Sequence, residues 1–182
     1  MTIAKRAEPH DLYIDRIQDH AAARDVGTIL LVADGARLAA LDFAGFEDRM
    51  SALLGVRYPS PRLVERRDPA GLSTRLRAYL SGDRSALDDV EVDGGGTPFQ
   101  RLVWTALRAI PAGTTTTYGE IARRIGRPRA SRAVGLANAK NPIAIVVPCH
   151  RVVGANGALT GYAGGLERKR WLLAHEGATV AP

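Results

Sequence analysis

Asp93-Gly94-Gly95-Gly96-Thr97-Pro98-Phe99-Gln100 divides the 182-residue chain into two parts of different character. Three consecutive glycines open backbone conformations that residues with a Cβ resist. The run then closes into a helix start, with threonine as N-cap, proline in the first turn and glutamine placed for a capping box. Charge changes sign across it. Residues 1–96 carry 13 Lys/Arg against 16 Asp/Glu, a balance of −3, whereas residues 97–182 carry 12 against 3, a balance of +9. An acidic half joined to a basic half points to a phosphate-bearing partner for the second. The expected organisation is an α+β domain over 1–93, a linker over 94–98 and a second domain over 99–182.

Upstream of the boundary, residues 28–33 and 37–43 flank Asp34-Gly35 and read as a β-hairpin, because Asp-Gly tolerates the positive φ of a tight turn. Residues 46–54 read as a helix, and Leu72, Leu76, Tyr79 and Leu80 form the apolar stripe of another. These positions read as core, with no chemistry among them. Downstream, Phe99, Leu102, Val103, Ala106, Leu107 and Ile110 repeat at helical spacing until Pro111 and Gly113. Thr117-Tyr118-Gly119-Glu120 is a second capping box, opening a short helix through Ile121, Ala122 and Ile125 that Gly126 can end in a left-handed conformation. Arg127-Pro128-Arg129 turns the chain into another short helix from Ser131 to Lys140. Two short helices about a basic turn form a candidate helix-turn-helix, a pattern that many helical pairs share.

The chain has one cysteine, so an intramolecular disulfide and a thiolate zinc cluster are both impossible. His10, His20, His150 and His175 lack the spacing of a helical metal pair, and no structural metal is expected. No apolar run reaches the ~18–20 residues of a membrane span. The start, Met1 to Arg6, has no apolar region of a secretory leader after it. The expectation is a soluble cytoplasmic protein.

Ile143-Ala144-Ile145-Val146-Val147 reads as a buried strand that delivers Pro148-Cys149-His150-Arg151-Val152 to the edge of the core. A thiolate is a soft nucleophile, but a free thiol with pKa ~8.5 is only slightly ionised at neutrality. A neighbouring base must shift that balance. His150 can serve, and a buried carboxylate such as Glu176 can orient its ring and stabilise its cation. Consecutive residues on extended chain face opposite ways, so contact between Cys149 and His150 requires a turn or a bridging water. The other reading, a structural Cys-His pair beneath a loop, stands equally at this point. Gly154, Gly157, Gly161, Gly164 and Gly165 surround Tyr162 in a stretch that suits either close approach to a ligand or a surface loop.

Pro148-Cys149-His150-Arg151-Val152 resembles the active-site motif of the O6-alkylguanine-DNA alkyltransferases, the methylated-DNA–protein-cysteine methyltransferases, of bacterial type. The resemblance includes Thr117-Tyr118-Gly119-Glu120-Ile121-Ala122, Arg132-Ala133-Val134-Gly135, Asn141-Pro142 and Gly161-Tyr162-Ala163-Gly164-Gly165. It continues through Lys169, Trp171-Leu172-Leu173 and His175-Glu176-Gly177, and is strong from Thr97 to Gly177. It decides for Cys149 as nucleophile.

What the resemblance implies is specific. The fold would be α+β, a ribonuclease-H-like N-terminal domain followed by a helical domain of winged helix-turn-helix type. The partner would be double-stranded DNA containing O6-alkylguanine, with O4-alkylthymine as a further substrate. Its recognition helix, with Ser131, Arg132, Ala133 and Gly135 on DNA, would enter the minor groove. Arg132 would fill the space left by a flipped base. Tyr118 would press on the target phosphate and lend a proton toward guanine N3, and Asn141 would hydrogen-bond across the turn beside the active site. Glu176, His150, a water and Cys149 would relay protons. Tyr162, Ala163, Val152 and Lys169 would line the base pocket or lie beside the thiol. No cofactor or metal is implied, each molecule would act once, and the protein would be monomeric with cooperative assembly on DNA left open.

Three features depart from the family pattern. Ala163 replaces a serine of some members, Thr160 sits in the pocket loop, and residues 18–27 replace the short entry expected before the first strand. Alternatives are a lesion-binding protein without transfer, which Cys149 opposes; a cysteine-sensing transcriptional regulator; and a cysteine hydrolase acting without DNA.

Overall fold

A computed structural model describes residues 9–179; the leader reading at Met1 to Arg6 falls outside them. The architecture is mixed α+β. The acidic half builds a sheet from β1 (His10–Ile17), β2 (Ile29–Asp34), β3 (Arg37–Phe43) and β4 (Pro61–Glu65), in the order β3-β2-β1-β4. The first three run antiparallel, and β4 returns parallel to β1. The expected hairpin is present with its turn one residue later. Asp34 pairs with Arg37, so Gly35-Ala36 make the turn, and Gly35 supplies a φ of 58°.

Alternation sorts the two faces of this sheet. Leu12, Ile14, Leu30 and Val32 pack with Met50 and Leu54 of α2 (Glu47–Gly55). Ile29, Leu31 and Ala33 face the rest of the molecule. A register shift in β3 leaves Ala39 between paired residues, so Leu38 and Leu41 reach that same face despite their odd spacing. A short α1 (Ala23–Val26) lies in the segment before β2, and α3 (Leu72–Leu80) lays its predicted stripe on the second face.

In the basic half, α4 (Pro98–Arg108) starts with the expected capping box: Gln100 N donates to Thr97 Oγ1 at 3.2 Å and Thr97 N to Gln100 Oε1 at 2.8 Å. Leu102, expected in its core face, is exposed. Trp104 takes the buried face instead and donates its indole N–H to Ala137 O at 2.9 Å. β5 (Thr116–Thr117) leads into α5 (Tyr118–Arg124). Only half of the second capping box forms. Thr117 Oγ1 accepts from Glu120 N, while the Glu120 carboxylate turns outward to Arg123 and Arg124. Gly126 ends α5 at φ 70°, with Gly126 N bonded to Arg123 O and Arg127 N to Ala122 O. α6 (Ser131–Ala139) packs on α4 and α5. β6 (Val152–Val153) pairs parallel with β5, and α7 (Leu166–His175) contacts α1.

Residues 143–147 correct the expected strand. Only Ile143 bridges to the sheet: Leu41 N donates to Pro142 O at 3.0 Å and Ala144 N to Leu41 O at 2.9 Å. The chain then turns on itself, with Val147 N donating to Ile143 O and Ile145 at φ 67°. An apolar run shows burial, not extension; its backbone groups find partners in the turn rather than a ladder. The edge of the acidic half's sheet thereby carries the segment that leads to Cys149. One apolar cluster joins Phe43, Leu76 and Tyr79 to Trp104, Leu107, Cys149 and Leu172. Among the described residues no helix is long and apolar enough to cross a membrane.

Candidate active site

Asn141 organises the turn before the cysteine. Its Oδ1 accepts from Ile143 N at 3.0 Å, and its Nδ2 faces Ile143 O at 3.3 Å, Val147 O at 2.7 Å and Cys149 Sγ at 3.1 Å. The carbonyls of Ala139 and Asn141 are held in turn by Arg49 of α2, whose other nitrogen pairs with the buried Asp42 of β3. Cys149 and His150 lie on a single 3-10 turn, Cys149–Arg151. The chain does turn here, one of the two routes to contact, but no hydrogen bond links Cys149 Sγ to His150 among the described residues. Cys149 is only 6% exposed. Burial pushes its thiol up, opposed by the Asn141 hydrogen bond and the charges of Arg49 and Lys169. At rest it is therefore a thiol, and reaction requires a group that takes its proton.

His150, the next residue along the chain, has the tautomer that this role requires. Its Nε2 lies 3.0 Å from Glu176 Oε1. Burial works against the Glu176 charge, but hydrogen bonds from His150 and Arg151 outweigh it and hold this carboxyl well below its usual range. An ionised carboxylate only accepts, so Nε2 carries the hydrogen and Nδ1 keeps the lone pair. Nδ1 is buried and makes no hydrogen bond among the described residues. Burial also lowers the His150 pKa, so the resting ring is a neutral base. Arg151 grips both oxygens of Glu176, at 2.9 Å through Nε and 2.7 Å through Nη2. Tyr79 donates its hydroxyl to Oε1 at 2.7 Å.

The pocket residues divide. Lys169 does not bond the thiol. Its Nζ donates to Val152 O at 2.6 Å and Thr160 O at 2.7 Å, and burial brings its pKa down to about 8. It ties the end of the reactive segment to the glycine-rich loop. Tyr162 packs edge-on against Phe43, and its hydroxyl is buried without a hydrogen-bond partner among the described residues. A Cβ on Gly164 would fall 2.8 Å from the Tyr162 ring and 2.9 Å from Phe43, so this loop needs glycine there. Ala163 is half-buried and Val152 fully buried. The β5–β6 pair brings Tyr118 beside the reactive segment, where its hydroxyl accepts from Thr160 Oγ1 at 3.3 Å.

On the outer surface, Tyr118, Ser131, Arg132, Gly135 and Leu136 line one shallow groove; Ala133 is exposed on α6 outside its lining. The exposed Arg132 stands at the start of this helix. Sequence reading missed three contributors: Arg49, Tyr79 and Arg151. Arg151 stood unassigned inside the quoted pentapeptide. Tyr79 stood in an aliphatic stripe, where a buried hydroxyl is itself a sign that a partner exists. Nothing in the sequence singled out Arg49. Among the described residues no group of His, Cys, Asp and Glu is arranged to hold a metal ion.

The family model described as 6-O-methylguanine DNA methyltransferase, DNA binding domain, matches residues 98–178. A methylated-DNA–protein-cysteine methyltransferase of Salmonella typhimurium is 50% identical over 165 residues, 89% of this chain and 96% of that protein. One from Methanosarcina acetivorans is 48% identical over 153 residues, 84% and 94% of the two chains. Among solved structures, that of Mycobacterium tuberculosis OGT in complex with DNA aligns with a TM-score of 0.72 at 41% identity, covering 92% of each chain.

Proposed function

Since the chain belongs to the methylated-DNA–protein-cysteine methyltransferase family, we propose that it repairs DNA by moving the alkyl group of O6-alkylguanine onto Cys149. One observation carries the reading: a buried thiol held by Asn141 next to a histidine whose free nitrogen is a base and whose other nitrogen rests on an ionised, fully buried carboxylate.

The chemistry follows from those atoms. His150 Nδ1 takes the thiol proton, through a water, and Glu176 stabilises the imidazolium that results. Sγ attacks the alkyl carbon, the carbon–O6 bond breaks, and the electron pair passes into the guanine ring. Tyr118 delivers a proton toward N3, so guanine leaves neutral, and the proton held on His150 returns through water to the Tyr118 oxygen. The thioether product offers no route back, and each molecule acts once. A stacked base cannot present its O6 substituent in line with a buried sulfur, so the nucleotide must leave the duplex. Arg132, on the exposed face of the basic half, fills the gap, with Ser131, Ala133 and Gly135 against the minor groove. Tyr162, Ala163, Val152 and Lys169 form the wall that receives the base.

In this reading the chain is two domains, 1–93 and 99–182 about a 94–98 linker. The first is ribonuclease-H-like and the second is a winged helix-turn-helix formed around α5 and α6. The protein works as a cytoplasmic monomer, and O4-alkylthymine is a further substrate. The test is intact mass after mixing with a duplex bearing one O6-methylguanine. The reading requires a gain of about 14 Da on Cys149, saturating at one equivalent, and none in Cys149→Ala, which keeps its DNA affinity. Tight lesion binding without mass gain in the unaltered protein would overturn it.

A further inference from the structure

Glu176 stands at the C-cap of α7, where the partial negative charge of a helix end opposes a carboxylate. It is also fully buried. The donors around it must offset both effects. His150 and Arg151 come from the reactive segment. The third donor, Tyr79, comes from the last turn of α3 in the acidic half, 97 residues away in sequence. Its hydroxyl reaches the very oxygen, Oε1, that His150 Nε2 uses. The ring packs against His175. It is 1% exposed, meets the His175 ring edge-on at 5.2 Å, and its carbonyl lies 2.9 Å from His175 Nε2.

From this geometry we propose that Tyr79 is a positioning residue for alkyl transfer, its hydroxyl fixing Oε1 of Glu176 and thereby setting the orientation and basicity of His150. The inference rests on the reading of His150 and Glu176 as the proton-accepting pair. The physical division of labour is as follows. Arg151 touches both carboxylate oxygens and sets the plane. Tyr79 joins Arg151 Nη2 and His150 Nε2 on Oε1 and draws negative charge away from that oxygen. Without the hydroxyl, Oε1 becomes a stronger acceptor for the His150 N–H, and the imidazolium becomes easier to form. The acidic half then contributes to the chemistry itself, through a group that touches neither substrate nor sulfur.

The charged and titratable groups facing this cluster are Arg151, Lys169, Arg84, His175, Tyr162 and Cys149. All of them remain in Tyr79→Phe, so a change in His150 reports the hydroxyl. Two readouts apply: the pH titration of the His150 imidazole by NMR, and the rate of Cys149 alkylation by free O6-benzylguanine as a function of pH. Tyr79→Phe should raise the His150 midpoint by about half to one pH unit and move the acid limb of the rate profile with it. The plateau rate should fall about three- to tenfold, part of what a positioned base supplies. A fluorotyrosine placed at 79, a stronger donor of nearly the same size, should lower the midpoint instead. In a Glu176→Gln background neither replacement should shift it. A midpoint unmoved by both replacements, or moved equally in the Glu176→Gln background, overturns the proposal and leaves Tyr79 a packing residue. If Glu176→Gln alone changes neither midpoint nor rate, the His150–Glu176 reading fails first, and the two failures are distinct.

Discussion

Replacing Asn141 with alanine should cost the protein both stability and reactivity, in amounts that its hydrogen bonds set. Ile143 N has Asn141 Oδ1 as its acceptor, in a position 2% exposed. Stranding that donor costs about 1–3 kcal/mol. Val147 O loses the Nδ2 donor but keeps Cys149 N at 2.7 Å, so that loss is nearer to about 1 kcal/mol. Together they give roughly 2–4 kcal/mol, or a fall in Tm of roughly 5–15 °C for a chain of this size. Alkylation by free O6-benzylguanine should slow as well, because Sγ loses its hydrogen bond and the turn that aims it. Asn141→Asp separates the two effects. Its carboxylate still accepts from Ile143 N, but its second oxygen faces Val147 O and the sulfur with negative charge where Nδ2 had donated. Once protonated, that oxygen can donate again. The aspartate variant should therefore be less destabilised than the alanine variant in mild acid, and its penalty should grow as pH rises through the carboxyl range. Thermal unfolding across pH, paired with alkylation rates by intact mass, makes the comparison. A Tm within about 2 °C of the unaltered protein for Asn141→Ala, or equal pH dependence in both variants, would refute the assignment.

Two other substitutions test separate parts of the molecule. Arg132→Ala should slow repair of O6-methylguanine in a duplex more than about tenfold while changing the reaction with free O6-benzylguanine less than about twofold; equal losses would count against base replacement. Glu176→Gln should destabilise by about 3–5 kcal/mol near neutrality, because Arg151 keeps a buried charge without its partner. The folded pKa of Glu176 is depressed, so the unfolded chain binds its proton first. Its stabilisation is complete above the ordinary carboxyl range and is lost as pH falls toward the folded value. Urea unfolding at a series of acid pH values should show a shallower loss in the variant, and an unchanged slope would contradict the assignment.

Local rules made much of this fold legible. Thr97 and Gln100 announce α4, Gly126 ends α5, and the stripe from Leu72 to Leu80 marks the buried side of α3. Each depends on residues within a few positions of one another. The errors share a cause. Leu102 has the right spacing for a core face, but helix packing selected Trp104 and left it outside. Ile143 to Val147 has the composition of a strand, yet edge pairing with Leu41 ends after one bridge and Asn141 captures the backbone. The site was legible in Cys149, His150, Glu176 and Asn141 as residue types in familiar order. The grip of Arg49 on Asn141 O and of Tyr79 on Glu176 spans 92 and 97 residues, and no local pattern encodes such pairings.

The two faces of the small sheet belong to separate packing clusters. Leu30, Val32, Met50 and Leu54 belong to a cluster of their own, and a methyl lost there opens a cavity between the sheet and α2. Leu31, Leu41 and Phe43 share a cluster with Cys149. Neighbouring residues on one strand therefore have different reach: a cavity at one position costs stability, and one residue along it also disturbs the packing around the thiol. Large-to-small changes on the α2 side should register in unfolding alone, and those on the other side in unfolding and in Cys149 reactivity together.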